Sequence, residues 1–228
     1  MSALDLSIVI PTLNEGGNIG RVLRGIRAEA EKLNLTYEAF IVDGPSGDST
    51  GEEARAAGAA VVEEHGGGFG RAVRRGLSEA KGKFVLLMDA DGSHPAKYFP
   101  EIWRRRVESD LVIGSRLAPG GGMDIPYHRR LLTRVLNRFF RSLFRLPAAD
   151  CSSGYRLYRA ETVKGLTGIA DGFDVQQENI IWIVRRGGHV VEVPIHYVWR
   201  QEGESKARIL KFGIGYLKLV AKYWLRSD

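Results

Sequence analysis

The sequence predicts an α/β protein with a mainly parallel, doubly wound sheet and helices on both faces. Three observations predict it. Short apolar runs alternate with stretches whose apolar residues recur at helical spacing. The chain of 228 residues is long enough to bury one sizeable core. Polar and charged residues gather at the carboxyl ends of the apolar runs, where open α/β sheets bind ligands.

Taken in order, LSIVIPT (6–12) reads as a buried strand, followed by a helix whose Ile19, Leu23, Ile26, Ala30 and Leu33 share one face. YEAFIVD (37–43) is the second strand, SGDSTGEEARAAG a turn and short helix, and AAVVEEH (59–65) the third strand. GFGRAVRRGLSEAKG starts on glycines and becomes helical. KFVLLMD (83–89) is the fourth strand, PAKYFPEIWRRRVES the next helix with Pro95 near its first turn, and DLVIGSR (110–116) the fifth strand. A glycine-rich loop, LAPGGGMDIPYH (117–128), precedes a helix from Arg129 to Arg145. Its apolar face holds Leu131, Leu132, Val135, Leu136, Phe139, Phe140, Leu143 and Phe144, with Arg130, Arg134, Arg138, Arg141 and Arg145 largely opposite. SSGYRLYR (152–159) is a short strand, residues 171–188 a turn and helix, and HVVEVPIHYVWR (189–200) a strand whose Pro194 favours an edge. The last residues, from Lys206, form another basic amphipathic helix.

The net charge of +6 is unevenly placed. Residues 1–100 carry 11 Lys/Arg against 14 Asp/Glu, whereas residues 101–228 carry 22 against 13. The positive second half points to an anionic partner such as a phosphate or a membrane surface. Cys151 is the only cysteine, which excludes an internal disulfide and fits a reducing compartment. The N-terminus lacks a secretory pattern, and no apolar run is long enough to span a bilayer. A basic module for nucleic acid is the contrasting reading. The aromatics lie mostly within apolar faces instead of interleaving with basic residues as stacking platforms, so no nucleic-acid partner is expected.

The chemistry starts at Asp89-Ala90-Asp91, which follows the most apolar strand. Two carboxylates one residue apart repel unless a hard cation lies between them, and Mg2+ or Mn2+ uses one or two carboxylates plus substrate phosphates. The alternative is a solvated turn that caps the next helix. Ser93 can add an oxygen, while His94 suits turn packing better than a hard cation. Around Gly70 and Arg71, glycines ahead of a helix permit either phosphate contact through backbone N–H groups or tight strand-to-helix packing. Asp43 ends the second strand, where it can accept from a nucleobase or ribose or form an Asx turn. Arg129, Thr133 and Asn137 are spaced four apart and share one stripe of their helix.

PTLNE (11–15), VDGPSGDST (42–50), GFGRAVRRGL (68–77), DADGSHP (89–95), IGSR (113–116), DCSSGYR (150–156), GFDVQQE (172–178), EVPI (192–195) and RQEGESK (200–206) occur in this order. Together they resemble the family 2 glycosyltransferases of GT-A fold, and within them the dolichol-phosphate (polyprenyl-phosphate) mannose synthase group. The resemblance runs from residue 6 to about 206. It implies a Rossmann-like catalytic domain over 1–205, with a nucleotide-sugar half (1–116) and an acceptor half (117–205), plus the C-terminal helix over 206–228. By the same resemblance, Pro11, Leu13, Glu15 and Asp43 match nucleotide-contacting positions, with Gly70, Arg71, Asp89 and Ala90 beside them. Asp89, Asp91 and Ser93 match the metal-binding set. Arg116, Arg129, Thr133, Ser153, Arg156, Arg200 and Lys206 fall at or near positions for the acceptor phosphate or donor diphosphate, and Gln176 and Glu178 match the pair that faces the sugar. Asp91, Arg116 and Arg129 are the expected catalytic residues. The family's second Asp and Gly are replaced by Gly44 and Pro45, and its Tyr by Leu13, all in the segments matching the base pocket.

The resemblance implies an inverting, Mg2+- or Mn2+-dependent transfer of a hexose, with GDP-mannose the favoured donor, to a polyprenyl or dolichyl phosphate. It also implies a cytoplasmic enzyme lying peripherally on a membrane, with or without an anchoring protein. A soluble or polysaccharide acceptor, or a donor such as UDP-glucose, is the alternative. A neutral hydroxyl acceptor would call for a carboxylate base, whereas an anionic phosphate calls for arginines.

Overall fold

Seven strands form one sheet in the order β3-β2-β1-β4-β7-β5-β8. The computed structural model describes residues 4–199 and 209–224. The elements are β1 (Leu6–Thr12), α1 (Ile19–Lys32), β2 (Tyr37–Asp43), α2 (Thr50–Ala56), β3 (Ala60–Glu63), α3 (Gly68–Glu79), β4 (Phe84–Leu87), α4 (Phe99–Arg104) and β5 (Leu111–Ser115). They continue with β6 (Gly122–Met123), α5 (Tyr127–Phe144), β7 (Arg156–Arg159), α6 (Ala160–Val163), α7 (Val175–Arg185), β8 (Val190–Pro194), β9 (His196–Tyr197) and α8 (Ile209–Trp224). Arg200 and Lys206 lie outside the described residues.

The sheet is mainly parallel, with helices on both faces, as the sequence predicts. β1 pairs in parallel with β2 and β4, β2 with β3, and β5 with β8. Only β7 runs antiparallel, wedged between β4 and β5. Because β7 begins where its neighbours end, the segment leading into it arrives at the same rim as the carboxyl ends of β1, β2, β4 and β5. Alternating side chains divide the strands between two apolar layers. Val9, Val85, Leu87, Leu111 and Ile113 pack with α3, α7 and Leu219 and Tyr223 of α8. Ile8, Ile10, Ile41, Leu86 and Val112 pack with α1, α2 and α4.

Two elements differ from the sequence expectation for local reasons. The single helix expected over 95–109 is broken into a 3-10 turn at Ala96–Tyr98, α4, and a second 3-10 turn at Arg105–Glu108. Pro100 has no N–H to donate and its ring displaces the carbonyl one turn earlier, so α4 starts around it. The strand expected over 189–200 ends at Pro194. β8 is an edge strand there, and β9 leaves to pair with β6.

Candidate active site

The rim begins with two interlaced loops. After β1, Asn14 donates its backbone N–H to Ser46 Oγ (2.8 Å), and its Oδ1 accepts from Gly47 N (2.8 Å). Glu15 N donates to Thr50 Oγ1 at 2.8 Å. Asp43 Oδ1 accepts from both Thr12 Oγ1 and Ser46 Oγ, each at 2.7 Å. Pro11 is buried, Glu15 is half-buried and Leu13 is exposed, so PTLNE and VDGPSGDST form one surface. Beside it is an open, polar cleft lined by Asp43, Ser46, Asp48, Arg55, Glu63 and His65.

Beyond β4 the chain turns at Asp89, Ala90 and Asp91. Asp91 and Ser93 are buried, and the Asp89 side chain is partly exposed. Asp91 Oδ1 accepts from Ser93 N at 3.0 Å. The backbone N–H of Asp89 donates to His94 Nδ1 (3.2 Å). That bond requires Nδ1 to be unprotonated, so the ring proton of neutral His94 is on Nε2, 3.7 Å from Asp89 Oδ2. Burial holds the His94 pKa below its ordinary value, against the opposing pull of Asp89 and Asp91. The ring stacks on Tyr155 (5.2 Å) and meets Tyr197 edge-on. His94 is thus a prop beneath Asp89. Gly154, on the approach to β7, lies so near that a Cβ there would be 2.7 Å from Asp89 Oδ1. Among the described residues no three His, Cys, Asp or Glu side chains cluster as a closed metal cage. Two hard carboxylates with the rest of the sphere left to ligand oxygens is the donor set that Mg2+ or Mn2+ accepts.

Arg116 follows β5 and forms a bidentate pair with fully buried Asp150: Nε to Oδ2 at 2.7 Å and Nη2 to Oδ1 at 2.7 Å. Its backbone N–H adds a third bond to Asp150 Oδ2 (3.0 Å), and Nη2 also reaches Ser152 Oγ (2.7 Å). The guanidinium lies over the Tyr197 ring, 5.5 Å from its centroid. Burial alone would raise the Asp150 pKa, but the Arg116 charge and hydrogen bonds outweigh it and hold the carboxyl below its usual range. Glu192 carries the other side by accepting from Ala149 N (2.8 Å) and Asp150 N (2.9 Å).

One residue of the α5 stripe touches this centre: Asn137 Nδ2 donates to Ser152 Oγ at 2.9 Å. Asn137 is buried and Arg129 and Thr133 are half-buried. Arg129 lies over Trp199, 5.1 Å from the ring centroid. The rest of α5 leaves much of the apolar face named above exposed. Leu131, Leu132, Val135 and Phe139 are exposed alongside Arg134, Arg138, Arg141 and Arg145.

The model of the family described as "Glycosyl transferase family 2" matches residues 7–167. The chain belongs to that family. It is 33% identical to an undecaprenyl-phosphate mannosyltransferase of Micrococcus luteus, over 87% of this chain and 85% of the relative. It is 32% identical to a dolichol-phosphate mannosyltransferase of Pyrococcus furiosus, over 90% of this chain but 60% of that longer relative. Among solved structures, the glucosyl-3-phosphoglycerate synthase of Mycobacterium tuberculosis, in complex with Mn2+, UDP-glucose and phosphoglyceric acid, superposes with a TM-score of 0.74. It covers 99% of this chain and 80% of that one at 21% identity, which establishes a shared GT-A fold.

In this family 2 glycosyltransferase, several residues expected to touch ligand are committed elsewhere. Arg156 is fully buried and gives Nε, Nη1 and Nη2 to the carbonyls of Ser153, Gln176 and Cys151, each at 2.7 Å. It holds the rim together from below and is not placed to meet a phosphate. Ser153 is buried and donates to Gly114 O (2.6 Å). Glu178 accepts from Ile169 N, Ala170 N and Tyr223 OH, with Lys222 Nζ at 3.3 Å, so it ties the 166–174 loop and α8 to the core. Gln176 is two residues away and so on another side of α7; its buried amide has no hydrogen-bond partner among the described residues. Gly70 donates its N–H to Asp171 O (2.9 Å), and Arg71 lies 3.5 Å from Glu64. Motif reading of single residues gave no role to Asp150 or Ser152, although both stand in the DCSSGYR motif. Their signal is the juxtaposition with Arg116, which requires knowing that β7 inserts between β4 and β5.

Proposed function

We propose that this glycosyltransferase is an inverting, metal-dependent enzyme that transfers a hexose from a nucleotide sugar to a polyprenyl or dolichyl phosphate, with GDP-mannose the favoured donor. The observation that carries this reading is the gathering of the Asp89/Asp91 turn and Arg116 at one strand-end rim, with Asn137 of α5 bonded to Ser152 beside Arg116; Arg129, on the same stripe, supports it. The names of these two relatives support the lipid-phosphate acceptor and the mannosyl donor. The Mn2+ complex of a protein with the same fold supports a divalent cation.

The nucleotide would lie along the surface made by Pro11, Leu13, Glu15 and Asp43, with Asp89 and Ala90 below its phosphates. A divalent cation held by Asp89 and Asp91, with Ser93 behind them, would stabilise the charge that develops on the leaving diphosphate. The acceptor phosphate is already anionic near neutral pH and needs no strong base. Its problem is repulsion from the diphosphate, which Arg116 and Arg129 offset, with Thr133 adding a hydroxyl. Attack from the face opposite the leaving group inverts the anomeric carbon. The Gln176 amide, which has no hydrogen-bond partner among the described residues, is suited to a sugar hydroxyl.

No described helix is long and apolar enough to cross a membrane. The exposed face of α5 would instead bring the enzyme to the lipid, peripherally at a cytoplasmic membrane face. Six arginines and no Asp or Glu lie between Asp124 and Asp150, which suits an anionic surface.

The test is direct. With Mn2+ or Mg2+, GDP-mannose and a short polyprenyl phosphate, the protein should form a lipid-phosphate mannose of inverted configuration. Parallel reactions with UDP-glucose identify the donor. Full activity in excess chelator, or transfer only to soluble hydroxyl acceptors, would overturn the reading.

A further inference from the structure

Apart from Arg130, whose Nη2 donates to Met123 O (3.1 Å), and Phe144, which packs on the core, few side chains of α5 hold it to the protein. Only Asn137 and Phe140 of its residues are fully buried. Phe140 packs in the core, 5.0 Å from the Tyr216 ring centroid, and holds the helix by close contact without a hydrogen bond. Asn137 is different. Its Nδ2 donates to Ser152 Oγ at 2.9 Å and to Thr133 O at 2.9 Å. Turning the amide over would set Oδ1 against the Thr133 carbonyl, acceptor facing acceptor, so the orientation is fixed.

Ser152 passes the constraint on. A hydroxyl has one proton and two lone pairs. Here the proton goes to Asp150 Oδ1 (3.1 Å), and the lone pairs receive Arg116 Nη2 (2.7 Å) and Asn137 Nδ2 (2.9 Å). The hydroxyl is saturated and cannot turn without losing a bond. Arg116 is similarly committed along its Nε/Nη2 edge, which leaves Nη1 as the edge that no described residue takes.

We propose that Asn137 is a positioning residue: through Ser152 it pins the rotation of α5, so that Arg129 and the open edge of Arg116 are directed at one acceptor phosphate. Arg129 and Thr133 lie two turns and one turn before Asn137 on the same stripe, so a rotation released at Asn137 displaces both together. The outer face of the helix, with exposed Leu131, Val135 and Phe139, supplies no competing hold. This inference rests on the lipid-phosphate acceptor reading above.

Asn137→Leu, Ser152→Ala and the double variant test it on the full chain. Leu matches the branched shape of Asn without its hydrogen bonds, and Ser152→Ala provides the same test if that variant folds poorly. The acceptor KM for a short polyprenyl phosphate should rise on the order of tenfold in each single variant, with no further rise in the double variant. Calorimetric affinity for a nucleoside diphosphate with Mn2+ should be unchanged, because the nucleotide surface is not part of the pin. Amide hydrogen exchange over residues 127–144 should quicken in both single variants. Additive effects, unchanged exchange, or a parallel loss of nucleotide affinity would overturn the pin. If the unmodified protein binds nucleotide but glycosylates no lipid phosphate, the acceptor reading fails, and the exchange rates alone then decide whether the pin exists.

Discussion

Arg116 and Asp150 form a buried, bidentate ion pair in which the carboxylate also accepts the backbone N–H of its partner. Such a pair adds little net stability relative to apolar residues, yet breaking it strands a buried charge. Asp150→Asn should therefore lower unfolding free energy by about 3 kcal/mol, measured by urea unfolding near neutral pH. The sign of the pH effect follows. The Asp150 pKa is depressed on folding, so its contribution is present above the unfolded carboxylate pKa of about 4 and is lost as pH falls through the lower folded value. Stability of the unmodified protein should fall in that acid range, and Asp150→Asn should flatten the fall. An equal slope in both would show that the pair does not govern acid sensitivity.

Asp91→Asn separates a metal ligand from a turn-capping residue. The amide oxygen can still accept from Ser93 N, so the turn survives, but the negative charge is gone. Replacing Asp91 also relieves its repulsion with Asp89. The melting temperature should hold or rise, while Mn2+-dependent affinity for a nucleoside diphosphate falls on the order of a hundredfold, the scale of the several kcal/mol a bound cation contributes. A lower melting temperature with intact nucleotide affinity would favour the capping role.

The strand ends of the first half were legible because their signals are local. Apolar runs stop at Asp43, Asp89 and Arg116, and parallel βαβ connections bring such ends to one rim. The insertion of β7 between β4 and β5 was not legible, since RLYR has no local mark of its strand order or direction. With it went the partners of Arg116, the burial of Arg156 and the prop under Asp89. The orientation of α5 was also ambiguous. Its apolar residues spread so widely that spacing alone does not choose a buried side, and the polar Asn137 is what the fold buries. Glu178 shows the same limit: helical spacing separates it from Gln176, but only packing reveals that its acceptors are used by the 166–174 loop and α8.

Gly70 distinguishes packing from phosphate contact in the glycine-rich segment. A Cβ there would be 2.0 Å from Ala170 O, and backbone would have to move to admit it. Gly70→Ala should destabilise the protein by about 2 kcal/mol, the usual scale of overpacking, and lower its melting temperature by several degrees. Nucleotide affinity of the folded fraction should stay within about twofold. A large loss of affinity without a change in melting would instead place Gly70 against the ligand.

The exposed side of α5 makes the last prediction. Leu131 and Val135 lie one turn apart, are half or more exposed, and stand among arginines in a segment with no Asp or Glu between Asp124 and Asp150. If this side enters the headgroup region, each apolar side chain contributes about 1–2 kcal/mol of burial and each arginine adds attraction to anionic lipid. Leu131→Glu with Val135→Glu should reduce co-sedimentation with phosphatidylglycerol vesicles on the order of tenfold or more, leave the melting temperature unchanged, and leave nucleotide affinity unchanged. Unmodified protein should bind neutral phosphatidylcholine vesicles weakly and should leave anionic ones as salt is raised. Binding that persists in the double variant, or that ignores both salt and headgroup charge, would remove α5 as the membrane-facing helix and leave the exposed apolar residues without a lipid role.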